Sequence, residues 1–443
     1  MYNNKTAKRH TIIKQTNKKK RIKRINQQGG ANFDSKVILT GHAEGVTSVA
    51  FHNTLPLLAT GSKDNTVKLW RLYPTPACVA TLEGHRSDVR TVAFHPTAPI
   101  LASGSADNTV KLWKISDDNR SATCIATLEE HAHCIDSIAF HLTLPLMATG
   151  SMDDTVKLWQ LSPDNMSATC VATLARRQNG HNGPVRSVAF HHTLPFLASG
   201  SDDRNVKLWR LSPDNSSATC VATLVSSGRF ITSVAFHPTA PLLASGSYDK
   251  NVTLWNFLPD NPSKASIVTT LEGHKATVHT VAFHPTLPIL ASGSVDSTVK
   301  IWRMSESQQD VNCETTLKGH KLPVTSVAFH PSPTVPLLAS GSSDRTVNLW
   351  SSRSSQILEN SSSSIEKIKP DFKIEAPVVN VKKSPTTDRK NHFLLPRRHS
   401  RSRHSRSRLT SRRTSRHTSR NRTSRTSRTS RSNVSHPAIP EVS

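Results

Sequence analysis

No stretch of this 443-residue chain approaches the ~20 consecutive apolar residues that a membrane-crossing helix needs. The first thirty residues also lack the apolar core of a secretory signal. These two absences predict a soluble, intracellular protein with no membrane partner. Acidic residues are scarce at both ends. Residues 1–32 carry ten Lys and Arg and no Asp or Glu, and residues 351–443 carry 22 basic against 6 acidic residues. The stretch between them is formally neutral, so the whole net charge of +26 sits in the tails. Any attraction for a polyanion belongs to those tails.

Signatures of catalysis are missing as well. There is no Gly-rich phosphate loop, no Gly-x-Ser-x-Gly elbow and no His-Glu-x-x-His, so no enzyme activity and no cofactor is expected. Cysteine is sparse. Five of the six (Cys78, Cys124, Cys170, Cys220, Cys313) hold one place in an internal repeat, and equivalent places one repeat apart lie beyond the ~7 Å Cα reach of a disulfide. All six read as reduced thiols, with Cys134 in a loop. The string "HAHC" (131–134) has no second ligand pair at zinc spacing, so no metal is expected.

What the chain does contain is one sentence written seven times. Every tryptophan takes part: Trp70, Trp113, Trp159, Trp209, Trp255, Trp302 and Trp350, at spacings of 43, 46, 50, 46, 47 and 48 residues. A fixed period of this length marks a repeat architecture. Within one unit, "TVHTVAF" (277–283) reads as a strand, "HPTLP" (284–288) breaks it, and "ILASGS" (289–294) resumes it. "VDS" then turns the chain into "TVKIW", and after a polar loop comes "CETTL" (313–317). Each unit is a four-stranded antiparallel meander with two apolar faces. Several such sheets around an axis bury what one alone cannot.

Polar residues recur at fixed offsets from the tryptophan. Six units have a His 28 or 30 residues before it: His42, His85, His131, His181, His274 and His320. All seven have an Asp six before it: Asp64, Asp107, Asp153, Asp203, Asp249, Asp296 and Asp344. A Ser stands eight before, and a Ser or Thr ten before, on one strand face. His N–H to Asp, hydroxyl to His and indole N–H to hydroxyl would pair groups that are otherwise buried and unsatisfied.

At these residues the chain resembles the WD40-repeat family. The resemblance covers 33–350, with units near 42–70, 85–113, 131–159, 181–209, 227–255, 274–302 and 320–350, and it implies an all-β, seven-bladed propeller flanked by disordered basic tails. The Asp that follows the tryptophan in the family is absent, its place taken by Arg71, Lys114, Gln160, Arg210, Asn256, Arg303 and Ser351. This removes the family's signature for docking on a ubiquitin-ligase adaptor. The polar "SSRSSQILENSSSS" after Trp350 makes a poor outer strand, whereas "SKVILTGH" (35–42) matches "ACVATLEGH" (77–85). The N-terminal segment is therefore expected to supply the last blade's outer strand.

Two features remain as candidate sites on the propeller. A His follows a strand-ending Phe in every unit (His52, His95, His141, His191, His237, His284, His330), which could form an anion-binding collar near pH 6 or could be plain duplication. The fifth unit alone replaces Gly-His by Ser226-Ser227 and brings Arg229 and Phe230 into the same loop, with Tyr248 in the adjacent turn. Arg with two aromatics is the usual composition of a protein-binding hot spot, and drift in a tolerant loop is the alternative.

The tails are low in complexity. "KKKRIKR" (Lys18, Lys19, Lys20, Arg21, Lys23, Arg24) reads as an import signal or a nucleic-acid patch. Residues 397–432 hold 14 Arg, 11 Ser and 6 Thr with no acid, including Arg401, Arg403, Arg406, Arg408, Arg412 and Arg413. This segment is similar to the arginine-serine domains of splicing factors, and more loosely to protamine-like tails; it cannot pack a core. Residues 351–396 read as a linker. The sequence thus predicts a scaffold with a protein partner on the propeller and RNA, or DNA, on the tails. The tail serines would be kinase substrates, and the location nuclear, with the cytoplasm as the alternative. A DNA-condensing factor and a pure adaptor whose tails are addresses are the competing readings.

Overall fold

A computed structural model describes residues 33–225, 228–305, 310–332 and 337–352. Among them run 28 strands, numbered β1 to β28 in chain order, and one 3-10 turn at Arg176–Gln178. The first sheet contains β2 (Val46–Phe51), β3 (Leu57–Ser62), β4 (Val67–Arg71) and β5 (Ala77–Leu82), paired antiparallel in that order. Five further sheets repeat the pattern. The seventh joins the ends: β26 (Val324–Phe329), β27 (Leu337–Ser342) and β28 (Thr346–Ser352) are completed by β1 (Phe33–Thr40). The fold is a seven-bladed β-propeller.

Burial explains the strand compositions. The second strand of every blade, "LLATGS" or "ILASGS" in character, is buried at all six positions because a neighbouring blade covers each face. Such a strand loses the apolar-polar alternation of a half-exposed one. Its glycine is required by close approach: a Cβ on Gly150 would stand 2.8 Å from Val185 of the next blade, and one on Gly341 2.8 Å from Val46. The Gly341 contact bridges the last blade and the first. Apolar clusters likewise straddle blades, and the one holding Leu39, Val46, Trp70, Leu337 and Val347 draws on both chain ends.

Third and fourth strands pair with a one-residue bulge at the tryptophan, between Leu69 and Trp70 in the first blade and at the matching place in the next five. The cross-strand partner of the tryptophan is then a cysteine in five blades and Ile267 in the fifth. β1 differs. It runs along β28 in unbroken register from Ser35–Ser351 to Thr40–Thr346, and Lys36 lies opposite Trp350. Its ammonium sits 5.6 Å over that indole. Lysine here serves the one junction that the chain closes with its two ends.

Candidate functional site

On the face carrying the Gly-His loops, the recurring polar residues meet. In six blades the His Nδ1–H donates to the turn Asp at 2.7–3.0 Å. A carboxylate accepts only, so Nδ1 carries the proton and Nε2 accepts from the strand hydroxyl at 2.7–2.8 Å. The tryptophan Nε1–H donates to that same oxygen at 2.8–2.9 Å in all seven blades, Trp255 to Ser245 included. Burial lowers the pKa of His42, His85, His274 and His320, outweighing the aspartate's pull and keeping these rings neutral. Burial alone would raise Asp107 and Asp296, but backbone N–H, threonine and histidine donors bring both down to about 2. Every group in the set is engaged within its own blade, so the network holds turns and strands. His131 belongs to it, and His133 Nδ1 accepts the Cys134 backbone N–H. Among the described residues no cluster of three or more His, Cys, Asp or Glu is arranged to hold a metal.

The opposite face corrects the idea of an anion-binding collar. Each Phe-His ring nitrogen Nδ1 is an acceptor, taking backbone N–H groups two and three residues on in six blades, as His52 does from Thr54 and Leu55, and from Ser332 at His330. Each ring also stands edge-on to the next blade's phenylalanine, with centroids 5.0–5.3 Å apart, from His52–Phe94 round to His330–Phe51. Burial lowers the pKa of all seven, to about 4 for His191 and His284. Rings whose charged form is disfavoured by burial and whose Nδ1 already accepts from the backbone are not arranged to gather anions. They are an inter-blade seam.

Blade 5 departs from its neighbours on the Gly-His face. Residues 226 and 227 lie outside the described residues. Phe230 and Tyr248 meet edge to face at 5.3 Å and 72°, and Tyr248 N–H donates to Phe230 O at 3.0 Å. That backbone bond recurs in all seven blades, as Lys63–Gly45 and Val295–Thr277 for example, so the frame is common and the aromatic pair is particular. Phe230 is 38% and Tyr248 48% exposed, and Arg229 beside them is exposed too. Both rings survive at the surface because their partner is each other. The strand hydroxyl of this blade still receives Trp255, and Asp249 still accepts the Asn251 N–H at 2.9 Å.

One constellation escapes the sequence reading. The second residue of each innermost strand faces the central channel: Thr47, Arg90, Asp136, Arg186, Thr232, His279 and Thr325. The three threonines donate to the next blade's backbone, at Val89, Val278 and Val46. Over blades 2 to 4 the threonine gives way to an ion chain, in which Arg90 (3.0 Å) and Arg186 (2.8 Å) share Asp136 and Arg186 also pairs with Asp202. The pairing to Asp202 holds Arg186 firmly protonated against burial. The only signal was three charges at a position where Thr is the common residue. The residues predicted for nucleic acid, Lys18 to Arg24 and Arg401 to Arg413, lie outside the described residues.

A closed ring of seven four-stranded blades, each pinned by a Trp-hydroxyl bond that a His extends in six of them, defines a repeat propeller. The WD domain, G-beta repeat family matches at 33–71, 76–114, 122–160, 168–210, 218–256, 265–303 and 311–351, and the chain belongs to that family. Each match begins with an outer strand, so one sequence repeat supplies the last strand of one blade and three of the next. Curated relatives include coatomer subunit alpha-1 of Arabidopsis thaliana, 49% identical over 49 residues, which is 11% of this chain and 4% of that protein. Coatomer subunit alpha of Saccharomyces cerevisiae is 55% identical over 42 residues, 10% of this chain and 4% of its own length. Each likeness spans about one repeat and a small fraction of the relative.

Proposed function

We propose that this WD40 protein is a non-enzymatic scaffold that holds a protein partner at Arg229, Phe230 and Tyr248 and binds RNA through its basic tails, in the nucleus. The observation that carries the docking site is the exposed Phe230–Tyr248 pair, in the one blade whose loop lacks the network His. Aromatic and arginine side chains dominate interface energetics because they bury large area, the arginine adding several directed hydrogen bonds. The RNA arm rests on charge, since the formally neutral propeller leaves phosphate binding to tails that hold the entire excess. Serine phosphates of about −1.5 to −2 charges each would cancel the arginines and act as a release signal.

Crosslinking the full chain and identifying the bound protein and nucleic acid tests both halves. Arg229→Ala/Phe230→Ala/Tyr248→Ala is expected to lose the protein and keep the melting temperature. A chain cut after residue 396 is expected to lose RNA affinity and most of its salt dependence, whose log-log slope is about −0.7 per neutralised phosphate. If the cut chain binds RNA as the full chain does, the tail is not the RNA arm and a pure adaptor takes its place.

A further inference from the structure

Charge on the Gly-His face is distributed unevenly, because the carboxylates are. Over blades 2 to 4, Arg90 and Arg186 are consumed by Asp136 and Asp202, and the exposed Arg86, Arg176, Arg177 and Arg204 stand among the loop carboxylates Glu83, Asp88, Glu129, Glu130 and Asp154. Over blades 5 to 7, Arg229, Lys250, Lys275, Lys321 and Arg345 are all exposed, and none makes an ion pair among the described residues. Apart from the turn aspartates of the blade network, the loops there hold one carboxylate, the exposed Glu272. Two of these cations also sit where the backbone does not favour them. Lys250 (φ 75°) and Arg345 (φ 71°), like Arg204 (φ 74°) in blade 4, occupy the left-handed turn position that Asn65 and Asn108 fill in the first two blades. Asparagine suits that conformation and a long side chain does not, so turn geometry does not account for the charge. In the same sector lie exposed apolar side chains: Phe230, Tyr248 and Leu322.

From this sector we infer that the partner held at blade 5 presents an acidic segment with an aromatic or aliphatic anchor, its carboxylates lying over blades 5 to 7 and its anchor against Phe230 and Tyr248. The inference rests on the docking site proposed above and adds the chemistry of what docks. Unpaired cations around a small apolar centre complement such a peptide, because rim charges steer and select while the anchor supplies affinity. The chain's own unmodified tails carry the wrong sign to lie there. A nucleic acid would use the same cations, but the two rings stand edge to face and do not form a parallel platform for stacked bases.

The test uses the full chain and a short fluorescent peptide in which glutamates flank one tryptophan, beside the same peptide with serine for tryptophan. The basic tails attract both peptides alike, so the ratio of their affinities reports the propeller. Wild type is expected to prefer the tryptophan peptide by about tenfold, the size of effect one buried anchor commonly has. Phe230→Ala/Tyr248→Ala and, separately, Lys275→Glu/Lys321→Glu should bring the ratio close to unity with unchanged melts. A wild-type ratio of one, or a ratio that neither variant moves, overturns the inference. So does oligouridylate that displaces the peptide and itself loses affinity in the Phe230→Ala/Tyr248→Ala chain, since the sector would then be a nucleic-acid site. If the peptides fail while the triple alanine chain still loses its crosslinked protein, the docking site stands and only the partner's acidity falls.

Discussion

Removing β1 asks how much the ring depends on being closed by its own N-terminal strand. Deleting residues 1–40 strips β28 of a partner paired along Phe33 to Thr40 and leaves the seventh blade with three strands. Phe33 and Leu39 are 4% and 5% exposed, and the burial of two such side chains is worth about 3–6 kcal/mol. Phe33 packs against Phe329 at 6.3 Å, and Leu39 belongs to the cluster that joins the last blade to the first. Loss of the lysine over Trp350 adds about 0.5–1 kcal/mol. Roughly 5 kcal/mol in all, at about 2 °C per kcal/mol for a large domain, lowers the melting temperature by about 10 °C. Calorimetry on the full chain, the chain from 33 and the chain from 41 measures it. The first two are expected to melt together, and the third should also aggregate through its bared edge. A synthetic peptide of residues 33–40 added to the third should recover part of the loss. Equal melting of the chains from 33 and from 41 would refute the assignment of closure to β1.

His131→Ala removes the bridge between Asp153 and Thr149 and should cost about 1–3 kcal/mol, read as a shift in denaturant midpoint. Gly150→Ala drives a methyl against Val185 and should destabilise by about 1–3 kcal/mol by overpacking, whereas most exposed substitutions change stability little. Asn348 is fully buried with neither amide atom partnered, at the place where five blades carry a lysine bonded to a threonine, so Asn348→Val should raise the melting temperature. His191 and His284 are held at about 4 by burial, below the unfolded value near 6.5, so the unfolded chain binds more protons between those limits. Their contribution is complete above about pH 6.5 and is lost as pH falls toward 4, up to about 3 kcal/mol each. Melts from pH 7.5 to 4.5 should show this decline. His284→Asn, which keeps an acceptor for Thr286 and Leu287 but cannot titrate, should flatten it.

What lies within one repeat was legible from the chain alone. Strand order, the turn, and the His, hydroxyl, Asp and Trp partners follow from fixed offsets, because residues 10 or 22 apart across a meander are brought together by local pairing. Closure was legible too, since β1 reads like the outer strands that end the other blades and the segment after Trp350 does not. What lies between repeats was decided by the tertiary structure. The Phe-His seam and the Arg90–Asp136–Arg186 chain join residues more than forty positions apart, and the valine or isoleucine against each strand glycine comes from the neighbouring blade. Their spacing carries no periodic signal, because it is set by how closely seven sheets pack around one axis. The same holds for Phe230 and Tyr248: composition marks them as unusual, but only the common backbone bond between loop and turn brings the two rings together. Every blade has that bond, and in blade 5 alone it joins two aromatic residues.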